Sequence, residues 1–149
     1  RPLEGEWFQK FKSNYLDVSN EPQFPFGFGL SYTQFKYDNL KLSSNSLSKG
    51  GTITVTVEVS NTGDRDGKEV VQLYMRDLVA TITRPVKELI GFEKIELKVG
   101  ETKTVEFSIS EKDLAFYHQD MSFYAEPGGF KVFVGSSSDD VLESDLELK

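Results

Sequence analysis

The chain has 149 residues, of which 38% are hydrophobic and 28% charged, a balance typical of one globular domain rather than a disordered, collagenous or membrane-spanning chain. It contains no cysteine, which excludes disulfide scaffolds, cysteine nucleophiles and thiolate metal sites. Its 17 basic and 24 acidic residues give a net charge of −7, which opposes binding to nucleic acid and to anionic membranes, so neither is a predicted partner.

The first residues, Arg1 to Glu4, include neither an initiator Met nor the start of a signal sequence. No apolar run approaches the ~20 residues that a membrane-spanning helix needs. We therefore expect the chain to be a piece of a longer polypeptide.

An aromatic-rich region begins the chain. Residues 1–37 hold ten of the 19 aromatic side chains, and Pro22, Pro25, Gly27 and Gly29 interrupt any regular helix or strand there. This composition predicts an irregular arm over residues 1–33. Exposed apolar rings usually mark an interface, so we predict that four of them are interdomain docking residues. These are Phe24, Phe26, Phe28 and Tyr32.

From about Phe35 the pattern changes to strict alternation of apolar and polar residues, which predicts half-buried β-strands. The clearest case is Thr52–Ser60, where every second residue is Ile or Val. The other predicted strands are Phe35–Leu42, Val70–Arg76, Lys87–Leu97, Thr102–Ile109, Ser122–Ala125 and Gly129–Val134, with a last candidate at Leu142–Leu148.

The connections carry their own signals. Turn-forming residues in Asn61–Gly67 and Pro127–Gly129 predict two hairpin turns. Only Ser110–Tyr117 is typical of a helix, with Ser110 as N-cap and Asp113 as its partner three residues later, and a single turn would satisfy this pattern.

Short strands at this spacing, without helices between them, favour an all-β architecture over parallel βαβ units. We predict an antiparallel β-sandwich of the immunoglobulin or fibronectin type III kind over residues 34–149, preceded by the arm over residues 1–33.

Few residues suggest catalysis. His118 is the only histidine, and we interpret it as a loop or helix-end residue rather than a catalytic or metal-binding one. The sequence Asp64–Gly67 begins like a calcium loop but has no glutamate at the twelfth position, so a turn explains it better. No pair of carboxylates stands out as an acid and base. The sequence predicts no catalytic residue, no metal site and no cofactor site.

The aromatic side chains leave two interpretations open. They could pack in the core or against another domain, or they could stack on sugar rings, as in a carbohydrate-binding module. Trp7 is the only tryptophan, and the rings cluster in a proline-interrupted arm rather than on one flat strand face. These features favour packing.

Six motifs in order resemble the fibronectin type III-like C-terminal domain of glycoside hydrolase family 3, which includes β-glucosidases and β-xylosidases. The resemblance covers nearly the whole chain. The motifs are Pro25–Phe35, Val59–Gly63, Gly67–Tyr74, Arg84–Phe92, Gly100–Glu101 and Glu126–Phe130.

The resemblance implies that the catalytic carboxylates lie in other domains, an N-terminal barrel and an α/β sandwich, so none can be assigned here. It implies a parent that is a retaining glycosidase, periplasmic or secreted, with two carboxyl groups about 5 Å apart. We expect this chain alone to be inactive. Its predicted partners are the catalytic domains of the same polypeptide, with self-association of the isolated chain as a further expectation.

Two function classes follow. The chain is either a non-catalytic domain that packs against and stabilises the catalytic domains of a β-glucosidase-like enzyme, or an accessory module that binds extended glycans. In the first class Arg84, Lys87 and Glu88 are expected to form surface ion pairs of less than about 1 kcal/mol.

Overall fold

A computed structural model describes residues 22–79, 81 and 86–149. Within these residues the structure is almost entirely β, with one short helix. The elements are β1 (Phe35–Leu42), β2 (Ser46–Leu47), β3 (Thr52–Asn61), β4 (Gly67–Asp77), β5 (Glu88–Leu97), β6 (Thr102–Ser110), α1 (Glu111–Leu114), β7 (Phe116–Tyr117), β8 (Phe123–Tyr124), β9 (Gly128–Gly135) and β10 (Val141–Leu148).

The strands form two main sheets. One has the order β1-β3-β6 and the other β2-β10-β9-β4-β5, and all neighbours are antiparallel except β2 and β10. β7 and β8 pair separately as a two-stranded ribbon. This arrangement confirms the predicted all-β sandwich.

The core lies between the two sheets, where alternation places one apolar face of each. In β3 the inward residues Ile53, Val55, Val57 and Val59 are buried. In β4 the odd-numbered Val71, Leu73 and Met75 belong to the same core cluster. Burial of these aliphatic side chains is the main source of the sandwich's stability. The fully buried aliphatic residues include Leu47, Val55, Val57, Val59, Val71, Leu97, Ile109, Leu114, Val132 and Val134.

Neither predicted hairpin turn is correct. The Asn61–Gly67 connection joins β3 in the three-stranded sheet to β4 in the five-stranded sheet. The segment at Pro127–Gly129 joins β8 in the ribbon to β9 in the five-stranded sheet. Both connections cross between sheets because the flanking strands pair with other partners, and turn-forming residues do not distinguish a hairpin from a crossover.

The helix prediction is right at its start and too long at its end. The carboxylate of Asp113 accepts hydrogen bonds from the backbone N–H and the hydroxyl of Ser110, both at 2.7 Å. The helix ends at Leu114, a core residue, and Phe116–Tyr117 is a strand instead. The pairing of Tyr117 with Phe123, which the local pattern does not show, replaces the further helical turn.

No helix in the described part of the chain is long and apolar enough to cross a membrane.

Candidate docking surface

The described part of the arm, residues 22–33, contacts the outer face of the five-stranded sheet. Gln72 and Tyr74 point outward from β4, yet the arm and the loop after β9 bury both of them. The Gln72 amide nitrogen donates to the carbonyl oxygens of Gly27, at 3.0 Å, and Ser136, at 2.6 Å. A polar side chain on the outer face thus binds two backbone segments to the sheet.

Phe26 contributes its backbone to the same contact. Its carbonyl oxygen accepts a hydrogen bond from the N–H of Ser138 at 2.8 Å and lies 3.4 Å from the Tyr74 hydroxyl. That hydroxyl donates to the side-chain oxygen of Gln72. Burial raises the pKa of Tyr74, so the hydroxyl stays protonated and remains a donor.

Gly27 fits this contact only because it has no side chain. Its φ of +80° lies in the left-handed region, and a β-carbon there would come within 2.0 Å of the Gln72 side-chain oxygen and 2.5 Å of the Tyr74 hydroxyl. Gly29 is different, because a β-carbon at that position would meet no atom within 4 Å. The close approach of the arm to the sheet therefore depends on Gly27.

Asn61 fixes the other end of the arm. Its side-chain oxygen accepts hydrogen bonds from the Thr33 hydroxyl, at 2.7 Å, and the Gly63 N–H, at 3.1 Å. Its amide nitrogen donates to the carbonyl oxygens of Arg65, at 2.7 Å, and Leu97, at 3.1 Å. This buried amide has all its hydrogen-bonding groups satisfied and joins the arm, the crossover and β5.

The predicted docking residues themselves face outward. Phe26 is 67% exposed and Tyr32 93% exposed, and Phe24 and Phe28 are also exposed. The Phe24 and Phe28 rings lie 5.0 Å apart and are tilted by 37°. The arm is thus attached through its backbone, and all four of these rings remain exposed.

Sequence reasoning missed several apolar residues at the same surface. Leu30 in the arm is exposed, and Val70 of β4 and Leu89 and Phe92 of β5 are exposed on the adjoining sheet face. Together with Phe28 they line one groove between the arm and the sheet. The sequence did contain a sign of this surface, because apolar residues at outward positions of alternating strands interrupt an otherwise polar face and indicate an interaction site.

One end of this groove contains a half-buried carboxylate. Glu69 accepts a hydrogen bond from the Tyr37 hydroxyl at 2.7 Å. Burial, with a smaller contribution from the nearby Asp140 charge, raises the pKa of Glu69 above its usual range, although the Tyr37 hydrogen bond opposes this. Burial and then the Glu69 contact raise the pKa of Tyr37, which is therefore the donor.

His118 lies in the turn between β7 and β8 rather than at the end of the helix. Its ring stacks on Tyr124, with centroids 3.7 Å apart and planes 9° apart, and its Nδ1 lies 3.5 Å from Glu126. It is a packed loop histidine, as the sequence analysis expected in its loop alternative.

The remaining candidates have structural contacts. Asp66 accepts a hydrogen bond from the N–H of Val99 at 2.9 Å, and the described residues contain no cluster of metal-binding side chains. Lys87 lies 4.6 Å from the centroid of the Phe133 ring and donates to the carbonyl oxygen of Ser138. Arg84 and Trp7 lie outside the described residues.

The chain is similar to several known proteins. Residues 69–138 match the profile of the fibronectin type III-like domain family. The chain is 48% identical over 148 residues to the periplasmic β-glucosidase of Salmonella typhimurium, covering 99% of this chain and 19% of that protein. It is 49% identical over 140 residues to a β-xylosidase of Formosa agariphila, covering 93% of this chain and 19% of that protein.

A solved structure shows the same arrangement of strands. The crystal structure of a β-glucosidase from Listeria innocua in complex with glucose matches 99% of this chain with a TM-score of 0.85 and 42% identity, over 20% of its own length. The chain thus spans about a fifth of the length of the relatives that it matches. These matches confirm the resemblance that the sequence motifs indicated.

Proposed function

The chain is a fibronectin type III-like domain of the type found in glycoside hydrolase family 3 enzymes, and on this premise we propose that it docks through its arm onto the catalytic domains of a β-glucosidase-like enzyme and stabilises them. The docking residues are Phe24, Phe26, Phe28 and Tyr32. The division into an arm over residues 1–33 and a sandwich over residues 34–149 is part of the proposal.

One observation carries the proposal: the arm is fixed to the sandwich through its backbone while its aromatic rings remain exposed. Gln72 and Ser138 bind the carbonyl oxygens of Gly27 and Phe26, which sets the direction of the neighbouring side chains. A segment whose backbone is already held loses less backbone entropy when a partner covers its side chains, which favours docking.

The energy available at this surface is large. Each aromatic ring can bury ~150 Å² or more, and apolar burial contributes ~25 cal/mol per Å². Four rings therefore supply several kcal/mol, as an upper bound because the free surface is already partly covered. An apolar surface of this kind on a chain that spans a fifth of its relatives fits contact with the rest of the polypeptide.

The proposed role is non-catalytic. The parent enzyme would hydrolyse O-glycosyl bonds with carboxylates outside this chain, as the family resemblance implies. The half-buried Glu69 is held by Tyr37, which is consistent with a structural contact rather than with an acid–base pair across a sugar. We expect the chain alone to release no product from aryl β-glucosides or β-xylosides.

The glycan-binding alternative requires a flat aromatic platform, because sugar rings stack face to face on aromatic rings. The described residues of the arm, 22–33, do not pair two rings in that way. Phe24 and Phe28 are tilted by 37°, and Phe26 meets Tyr74 edge to face at 81°. Calorimetric titration of the chain with glucans and xylans tests this alternative, and saturable binding would support it over docking.

The docking proposal is tested in the complete polypeptide that contains this chain. We expect Phe26→Ser/Phe28→Ser to lower the melting temperature and reduce glycosidase activity, while the circular dichroism signal of the strands stays unchanged. Val99→Ser is the control, because Val99 is also apolar and exposed but lies in the β5–β6 turn. Unchanged melting and activity in the double variant would show that the arm is a passive linker.

A further inference from the structure

A second apolar surface lies at the β7–β8 ribbon, on the long connection between β6 and β9. Two residues at the root of the ribbon, Phe116 and Ala125, are buried. Near its tip Tyr117 and Phe123 are exposed, with ring centroids 4.8 Å apart, and Met121 in the turn is 76% exposed. The ribbon therefore has an anchored root and an apolar tip.

Met121 has an unusual backbone conformation for its residue type. Its φ of +67° lies in the left-handed region, which glycine, asparagine and aspartate tolerate far better than a residue with a long apolar side chain. Asn39 is the other described non-glycine residue with a positive φ, and its amide donates to Glu58 at 2.7 Å. The Met121 side chain, by contrast, is exposed. The strained backbone therefore occurs at a residue whose apolar side chain faces outward.

The root of the ribbon is held by further contacts, although a two-stranded ribbon is unstable alone in water. The His118 ring lies between Tyr124, at 3.7 Å, and Phe116, at 4.3 Å, and its side chain is only 8% exposed. Glu126 contacts His118 Nδ1 and also accepts hydrogen bonds from the N–H and hydroxyl of Thr81. These contacts fix the ribbon to the connection between β4 and β5.

That same connection leads to the arm. Lys87, near its other end, donates to the carbonyl oxygen of Ser138, whose N–H donates to the carbonyl oxygen of Phe26. The ribbon thus contacts Thr81 of this connection, and the arm is linked to Lys87 through Ser138.

We propose that the tip of the ribbon, Tyr117, Met121 and Phe123, is a second docking surface, and that it contacts the part of the same polypeptide that lies outside this chain. The proposal rests on the proposed function, because it gives the arm and the ribbon the same partner. Two observations select this partner. The chain spans about a fifth of its relatives' length, and two copies of the chain, each with a charge of −7, repel each other.

Oxidation of Met121 by hydrogen peroxide tests the contact directly, because conversion of a thioether to a sulfoxide requires access by the oxidant. The rate is measured by mass spectrometry in the complete polypeptide and compared with a peptide of residues 115–126. Met75, which is buried in the core, is the internal reference for a protected methionine.

We expect Met121 to oxidise roughly tenfold more slowly in the complete polypeptide than in the peptide, at every protein concentration. Phe123→Ser should restore much of the rate by loosening the contact, whereas Val99→Ser should not. Oxidation at the peptide's rate would overturn the proposal. Protection that appears only as the protein concentration rises would also overturn it, since a second copy would then cover the tip.

The arm variant separates this inference from the proposed function. If Phe26→Ser/Phe28→Ser lowers the melting temperature while Met121 oxidises at the peptide's rate, arm docking stands and the second surface is wrong. If Met121 is protected and the arm variant changes nothing, the ribbon contacts the polypeptide and arm docking is wrong.

Discussion

The strands of the sandwich contribute buried side chains to the core, whereas the arm is attached through its backbone and leaves its aromatic side chains exposed. In β3 and β4 the side chains Val57 and Leu73 are buried in the core, and the backbone pairs sideways with neighbouring strands. In the arm the backbone of Phe26 and Gly27 forms the attachment, and the side chain of Phe26 is exposed. Side-chain changes should therefore affect stability in the strands and partner contacts in the arm.

A core truncation gives the largest effect expected from this comparison. Leu73→Ala removes a buried side chain from the centre of β4 and should lower the free energy of unfolding by about 2–5 kcal/mol, through lost burial and the cavity left behind. Tyr32→Ser, at a residue that is 93% exposed, should change it by no more than about 0.5 kcal/mol. Chemical denaturation of this chain measures both, and equal losses would contradict the comparison.

A backbone change in the arm should have an intermediate effect. Gly27→Ala places a methyl group against Gln72 at a positive φ and should cost about 1–3 kcal/mol by displacing the arm. Hydrogen exchange of the Ser138 amide, which donates to Phe26, should accelerate while exchange in β3 stays slow.

Gly29→Ala is the matched control for that variant, because an added methyl group there meets no atom within 4 Å. It should leave the Ser138 amide protected. If exchange of the Ser138 amide accelerated equally in both variants, the cause could not be the close contact between Gly27 and Gln72.

The smallest expected effect is a pH dependence of stability that arises from Glu69, at one end of the groove. Because the folded state raises the pKa of Glu69, its protonated form contributes stability that is complete below the unfolded pKa, near 4.5, and is lost as the pH rises through the folded pKa. Glu69→Gln stays neutral and keeps an acceptor for Tyr37. We expect its stability relative to the original chain to increase from acidic to neutral pH.

Denaturation of Glu69→Gln and the original chain over a pH series measures this difference. Glu101 is a useful comparison, because a backbone hydrogen bond from Lys98 lowers its pKa and Glu101→Gln should therefore show the opposite pH trend. A stability difference for Glu69→Gln that is constant across pH would contradict the expected cause.

The sequence by itself determined the family and the long strands, although it did not predict the two-residue strands β2 and β7. Alternation in Thr52–Ser60 depends only on neighbouring residues, and the observed strand is Thr52–Asn61 with the predicted face buried. The start of the helix at Ser110 and Asp113 is equally local, since the cap forms within four residues. The motif order from Pro25 to Phe130 was enough to identify the family, which the comparisons confirm.

Only the tertiary structure decided which strands pair and which part of the arm is attached. Turn residues at Asn61–Gly67 mark a change of direction, but the choice between a hairpin and a crossover depends on whether β4 pairs with β3 or with β9. The β4–β9 pair is formed by strands that are far apart in sequence. The burial of Gln72 on an outer face likewise depends on the backbone of Gly27, 45 residues away. Local patterns record which side chains avoid water, whereas these contacts exist only after distant segments have met.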